Sequence, residues 1–247
     1  MPLWYEAIRR SKDAVKWTVH GTPDFAEIFQ GLRGATRWNR VLNLDTEIRF
    51  HLTPKVHQFV DGLLSGLPGE RLRPLADELH AGGHRFLLTR DLDAARAYLR
   101  ERYADAKFAR YGLVASSKDK WLPEIGVDNT FHTTKQLLVG YWYNADPSDA
   151  QSCCRLETVA TEFSSQGLEL DCALLAWGSD LLWEAEVWSI RFAGKNRPPL
   201  RDPLTVRKNV YRVLLTRGRD GTVIFVLPDS RMDTTHARLK AVGVREF

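Results

Sequence analysis

Three stretches of this chain carry side chains able to work on a charged ligand. The first ends in Arg217. Asp202-Pro203 reads as a helix start, and the helix predicted through Thr216 has an apolar face of Val206, Val210, Val213 and Leu214. Arg217 continues that face, seven residues after Val210 and three after Leu214, and Gly218 suits a left-handed C-cap. An arginine aimed inward from a helix end must meet an anion. Two anions are open to it: an internal Asp or Glu, forming a salt bridge, or a nucleotide phosphate, making Arg217 an arginine finger.

The second stretch is Thr161-Glu162-Phe163-Ser164-Ser165-Gln166-Gly167-Leu168-Glu169-Leu170-Asp171, which joins two apolar strands. Loops at the carboxyl ends of parallel strands are where α/β sheets bind ligands. Gly167 permits close backbone approach, Gln166 offers a donor and an acceptor, and Glu169 and Asp171 offer carboxylates. An ordinary polar crossover would have the same composition. The third stretch, Asp45 to Phe50, places Arg49 between a strand and a helix, as a surface arginine or one that reaches a phosphate. Other chemistries lack their motifs. The sequence has no G-x-x-x-x-G-K-[ST], no G-x-S-x-G, no H-E-x-x-H and no paired CxxC. Its histidines are scattered, and no residue set is assigned to a metal.

The elements that must position these residues alternate in type. Val41 to Leu44, Arg85 to Thr89, Tyr111 to Ala115, Leu156 to Ala160, Cys172 to Trp177 and Thr222 to Leu227 read as strands, and Leu137 to Tyr143 as a further strand among loops. Helices are predicted from Thr53 to Gly66, with Val56, Phe59, Val60, Leu63 and Leu64 on one face, from Asp91 to Tyr103, and from Thr234 to Val242. Strands alternating with helices imply a mainly parallel α/β sheet covered on both faces. Ser116, Ser117 and Lys118 then fall in a polar loop at a strand end. Arg49, Gln166, Gly167, Glu169 and Arg217 are expected together at the carboxyl edge of the sheet.

Composition agrees with a folded, mildly basic protein. The 247 residues are 44% hydrophobic and 27% charged, with net charge +4 and pI near 9.0. The three cysteines, Cys153, Cys154 and Cys172, fit no metal spacing, and adjacent Cys153 and Cys154 are poorly placed to bridge, which points to a reduced cytoplasmic setting. No signal peptide and no apolar run long enough to span a bilayer is present.

In this order, the three stretches resemble the second RecA-like domain of superfamily-one helicases. Thr161 to Asp171 resembles helicase motif V, Tyr211 to Arg219 (YRVLLTRGR) resembles motif VI, and Leu42 to Arg49 resembles motif IV, with Ile48 where the motif usually has an aromatic. The strings VATEFSSQGLELD and NVYRVLLTRGRDG, with Trp142 to Asp146 and Trp177-Gly178, bring the likeness closest to the Schlafen group 3-like DNA/RNA helicase domain proteins, over nearly the whole chain.

The resemblance implies a RecA-like domain, residues 41–247, preceded by an inter-domain remnant, residues 1–40. It implies that Arg49 and Arg217 reach the γ-phosphate of ATP, and that Gly167 and Glu169 sit by the nucleotide. Thr161, Ser164 and Gln166 would link it to a channel for single-stranded DNA or RNA, and Ser116, Ser117 and Lys118 would touch the phosphates of that strand. The P-loop and the Mg2+ site belong to the first RecA-like half of such proteins, so the chain is expected to be a split, truncated or internally initiated member, inactive on ATP alone. A stand-alone nucleic-acid- or protein-binding module, or the remnant of a disrupted helicase gene, are the alternatives.

Overall fold

The computed structural model describes residues 2–43, 53–190 and 202–247. The chain divides into two compact units, Met1–His51 and Leu52–Phe247. In the first unit, Glu6 of helix α1 (Pro2–Arg10) bridges Arg9 at 3.1 Å and Arg10 at 3.4 Å. Strands β1 (Thr18–Gly21) and β2 (Ala35–Trp38) pair in parallel, with Thr18 opposite Ala35. Buried Phe29 packs against the rings of Tyr5 and Trp38, each 6.1 Å away, while Trp4, Val15 and Trp17 are exposed. Val41 and Leu42 do not form the expected strand. They lie in a 3-10 turn, Arg40–Leu42, because Asn39 accepts from the Val41 N–H at 3.0 Å and so offers the backbone a turn instead of a ladder. Leu44 and Arg49 lie outside the described residues.

The second unit opens with α2 (Thr53–Ser65), which buries Val56, Phe59, Val60, Leu63 and Leu64 as its spacing predicts and stops at Gly66, φ +85°. After α3 (Gly69–Ala81) come β3 (Arg85–Thr89) and α4 (Leu92–Arg102). Asp91 caps α4 by accepting from the Asp93 and Ala94 N–H groups, each at 2.9 Å. Strand β4 (Tyr111–Ala115) is followed by short helices α5 (Phe131–Thr134) and α6 (Val139–Asn144). Next are β5 (Val159–Thr161), β6 (Leu170–Trp177) and a hairpin of β7 (Leu182–Glu184) and β8 (Val187–Ser189). The unit ends with α7 (Pro203–Leu215), β9 (Gly218–Val226), α8 (Asp233–Ala241) and β10 (Arg245–Glu246). Asp202 caps α7, accepting from the Thr205 N–H at 3.0 Å, with Pro203 in the first turn.

Among the described residues, six parallel strands form one sheet in the order β10-β3-β9-β6-β4-β5. The chain crosses from β3 to β4 through α4 and returns from β6 to β9 through α7. Because parallel crossovers are right-handed, these opposite directions place α4 and α7 on opposite faces. Helix α4 packs on β3, β6 and β9, and α7 on β6 with α2 beside it. Covered on both faces, β4 is buried throughout and β6 nearly so. The architecture is the α/β, RecA-like arrangement that the sequence pattern and resemblance predict.

Three local expectations change. Leu137 to Tyr143 is not a strand: Val139–Asn144 is helical, and Trp142 fills space above β4 that only Gly112 leaves open, since a Cβ there would lie 2.7 Å from the indole. Leu156, at φ +59°, ends a 3-10 turn, so β5 starts only at Val159. The buried face of α7 is Tyr211, Leu214 and Leu215, rotated from the one predicted, and Val206 is exposed.

Candidate functional site

Parallel pairing fixes which end of the sheet each candidate occupies. Leu170 pairs with Gly218 at the amino ends of β6 and β9, and Ala115 pairs with Thr161 at the carboxyl ends of β4 and β5. The loop Thr161–Asp171 therefore leaves the carboxyl edge and returns to the amino edge. Gln166, Gly167, Glu169 and Arg217 gather on the amino side, opposite to the expected carboxyl edge, because they precede strands rather than follow them.

Arg217 holds this amino-edge site together. Its Nε donates to the Val213 carbonyl at 2.9 Å, and its Nη1 donates to the carbonyls of Ser165 and Leu168, both at 3.1 Å. The Leu170 N–H donates back to the Arg217 carbonyl at 2.9 Å. One guanidinium thus closes the last turn of α7 and clasps the loop, a use suited to the fixed fork of arginine donors. Gly167 lies at φ +79°, exposed, and a Cβ there would meet nothing within 4 Å. Its bare backbone is open to solvent in a conformation that favours glycine. Gln166 is exposed and Glu169 half-buried, with the Glu169 carbonyl accepting from the Tyr143 hydroxyl at 2.8 Å.

Beside the clasp, a cavity of about 770 Å³ opens between the loop before β4 and the starts of β6 and β9, lined in part by Tyr103, Phe108, Tyr143, Glu169 and Arg219. Asp171 accepts from the Arg110 N–H at 2.6 Å and pairs with Arg219.

The carboxyl edge is built differently. Asp180 is buried and accepts from Ser116 Oγ, from Tyr211 Oη at 2.6 Å and from Arg207 Nη1 at 2.8 Å. Burial pushes the Asp180 carboxyl up, against the pull of Arg207, Ser116 and Tyr211, and burial raises the Tyr211 phenol well above its ordinary value. Asp119 accepts from the Trp121 and Leu122 N–H groups at 2.8 Å and from the Ser179 N–H at 2.6 Å. Glu162 accepts from the Ser117 N–H at 2.8 Å and hydroxyl at 2.7 Å. Of the residues expected to meet nucleic acid, Ser116 and Thr161 are buried in or beside this network. Ser117 is half-buried on Glu162, Ser164 is tied to the Thr161 N–H at 2.8 Å, and Lys118 is exposed.

Sequence reasoning missed Asp180 and Arg207. A signal existed: Arg207, Tyr211, Leu214 and Leu215 share one helical face, and Asp180 follows the end of an apolar strand. No described helix is long and apolar enough to cross a membrane.

Neither a curated protein nor a solved structure matches the chain. The family model described as "Schlafen group 3, DNA/RNA helicase domain" matches residues 9–228, a span containing both the Arg217 clasp and the carboxyl-edge network. The chain belongs to the Schlafen group 3 DNA/RNA helicase domain family.

Proposed function

We propose that the Leu52–Phe247 unit is the second motor half of an ATP-dependent DNA/RNA helicase or translocase, acting on an ATP whose phosphates and Mg2+ are held by a P-loop half on the same chain or another. The observation that carries this reading is the Arg217 clasp, which joins the end of α7 to the Gln166-Gly167 loop at one place on the sheet. Phosphoryl transfer depends on positioning and on cations at the developing charge, and arginine supplied from a second domain is a recurring source of that charge. Arg217, with Arg49, takes this role here. Gly167 lets the backbone approach the nucleotide, and Gln166 and Glu169 border it. ATP, when bound, supplies the free energy of hydrolysis.

The loop also supplies a route for coupling. Its start, Thr161 to Ser164, lies beside the network at the carboxyl edge, and its end is clasped by Arg217. An Arg217 that exchanges the Ser165 and Leu168 carbonyls for phosphate oxygens loosens the loop and changes what the carboxyl edge presents to a nucleic-acid strand. The domain mixed with the P-loop half of a Schlafen group 3 relative and single-stranded DNA or RNA is expected to hydrolyse ATP, while the domain alone is not. Arg217→Ala should lower kcat on the order of a thousandfold. Hydrolysis by the chain alone, or a rate unchanged by Arg217→Ala, overturns the proposal.

A further inference from the structure

Two phenylalanines stand in water at the carboxyl edge, and the proposed function leaves both unused: Phe131 is 78% exposed and Phe163 is 65% exposed. Rings of this size are seldom left bare without a partner when they share one surface. Three links place them on the same surface. Phe163 follows Glu162, whose carboxylate holds Ser117, so Phe163 and Lys118 leave adjacent strands side by side. Buried Asn129 donates from Nδ2 to the Ser116 carbonyl at 2.6 Å and the Asp119 carbonyl at 2.9 Å, fixing the segment that leads into α5 against the same loop. Helix α5, which begins with Phe131, packs on β5.

Cations border the rings. Lys135 Nζ lies 5.6 Å from the centroid of Phe131, and Lys118, Lys120 and Lys135 are exposed. The nearby acid, Asp128, is engaged by the hydroxyls of Thr130 and Thr133, each at 2.7 Å. Exposed aromatic faces beside cations are the composition that suits a flexible polyanion carrying flat rings. The faces stack bases of any sequence, and the cations neutralise phosphates.

We propose that Phe131 and Phe163 are stacking platforms for successive bases of a single-stranded nucleic acid, and that Lys118 and Lys135 pair with its phosphates. The proposal rests on the helicase reading for its ligand class but not on ATP chemistry. Binding is measured by fluorescence anisotropy, without nucleotide, on the whole chain, using a twenty-nucleotide oligothymidylate, its oligouridylate counterpart and an abasic strand of the same length. Phe131→Ala and Phe163→Ala should each weaken binding of the two base-bearing strands about tenfold and leave the abasic strand unchanged. Phe163→Trp should retain affinity. Lys118→Ala and Lys135→Ala should weaken all three strands and each reduce the slope of log affinity against log salt by about 0.7. Exposed side chains leave folding intact on truncation, which a thermal melt verifies. Unchanged affinity for the base-bearing strands in both phenylalanine variants, with binding by the wild type, overturns this inference and leaves the motor reading standing. Equal affinity of the wild type for abasic and base-bearing strands also overturns it. No binding of any strand overturns it together with the nucleic-acid part of the proposed function. Loss in the phenylalanine variants beside a domain that never supports ATP hydrolysis sustains the inference and removes the motor.

Discussion

The two edges of the sheet solve opposite problems with similar side chains. At the carboxyl edge, Asp180, Ser116, Tyr211 and Arg207 form a buried cluster, and Asp119 ties the loop after β4 to the loop after β6. At the amino edge, one arginine clasps a loop by its carbonyls, beside an open cavity. A network buried at low dielectric is strong while complete and costly when broken. A single half-buried clasp holds geometry yet can be exchanged for another acceptor. The proposed motor half would use both: a fixed surface for a strand, and a contact that changes with the nucleotide.

Breaking the fixed edge should have the largest effect. Asp180→Ala leaves the buried Tyr211 hydroxyl without its acceptor and the half-buried Arg207 cation without its counter-charge, held only by Ser116 Oγ. The expected loss is about 3–5 kcal/mol in urea unfolding, enough to threaten folding at 37 °C. A variant as stable as the wild type would show that the network is solvated in solution. Gly178→Ala should cost less, about 2 kcal/mol, because its Cβ would lie 2.2 Å from Asp119 Cγ and the held carboxylate cannot swing away. Gly167→Ala, at the amino edge, meets no atom and costs only the strain of a left-handed residue, about 1 kcal/mol. If the two glycine variants proved equal in urea titrations, the contrast between the edges would be lost.

Arg217→Ala should cost about 1–2 kcal/mol, since its three carbonyl bonds are half-exposed. Its signature is local. Amide hydrogen exchange should quicken across Ser165 to Leu170 while the amides of Trp121, Leu122 and Ser179, bound to Asp119, keep their protection. Quickening at both edges alike would mean that they move as one piece.

What the sequence made legible follows from which forces are local. The periodicity of α2 and the caps of α4 and α7 appear in the order of residues, so those elements were readable. The segment Leu137 to Tyr143 misled because its aromatic and β-branched content favours a strand, whereas packing of Trp142 over Gly112 decided for a helix. Helix α3 was missed: Pro74 inside it interrupts the pattern by which a helix is recognised. At the site, the inward aim of Arg217 was visible, but the Ser165 and Leu168 carbonyls that it binds lie in a loop that only the fold brings near. The edge was misassigned because the rule for carboxyl edges describes ligands held by loops after strands, while Glu169 and Arg217 precede theirs. Arg49, in Asp45 to Phe50, lies outside the described residues.

The smallest expected effect is a pH dependence that marks the amino edge alone. His84 is buried just before β3, and its Nδ1 lies 3.0 Å from the carbonyl of Arg219, at the start of β9. The ring of Phe86 sits 4.9 Å away. Burial lowers the His84 pKa from 6.5, opposed by the Arg219 carbonyl and by Asp220. A lowered folded value means that the unfolded chain takes up the proton first as pH falls. The stability this neutral imidazole provides is therefore fully present above pH 6.5 and is lost as pH falls toward the depressed folded value. His84→Gln keeps a donor for the Arg219 carbonyl and removes the titration. Thermal melts between about pH 7.5 and 5.5 should show Tm falling less steeply for the variant than for the wild type. His80 and His236, also lowered by burial, remain in both proteins, so the comparison isolates His84. Parallel pH profiles would show that His84 stays solvated and that the amino edge is looser than its hydrogen bonds suggest. A steeper wild-type profile, with acid-quickened exchange confined to the starts of β3 and β9, would locate the titrating group at this edge rather than in the carboxylate network opposite.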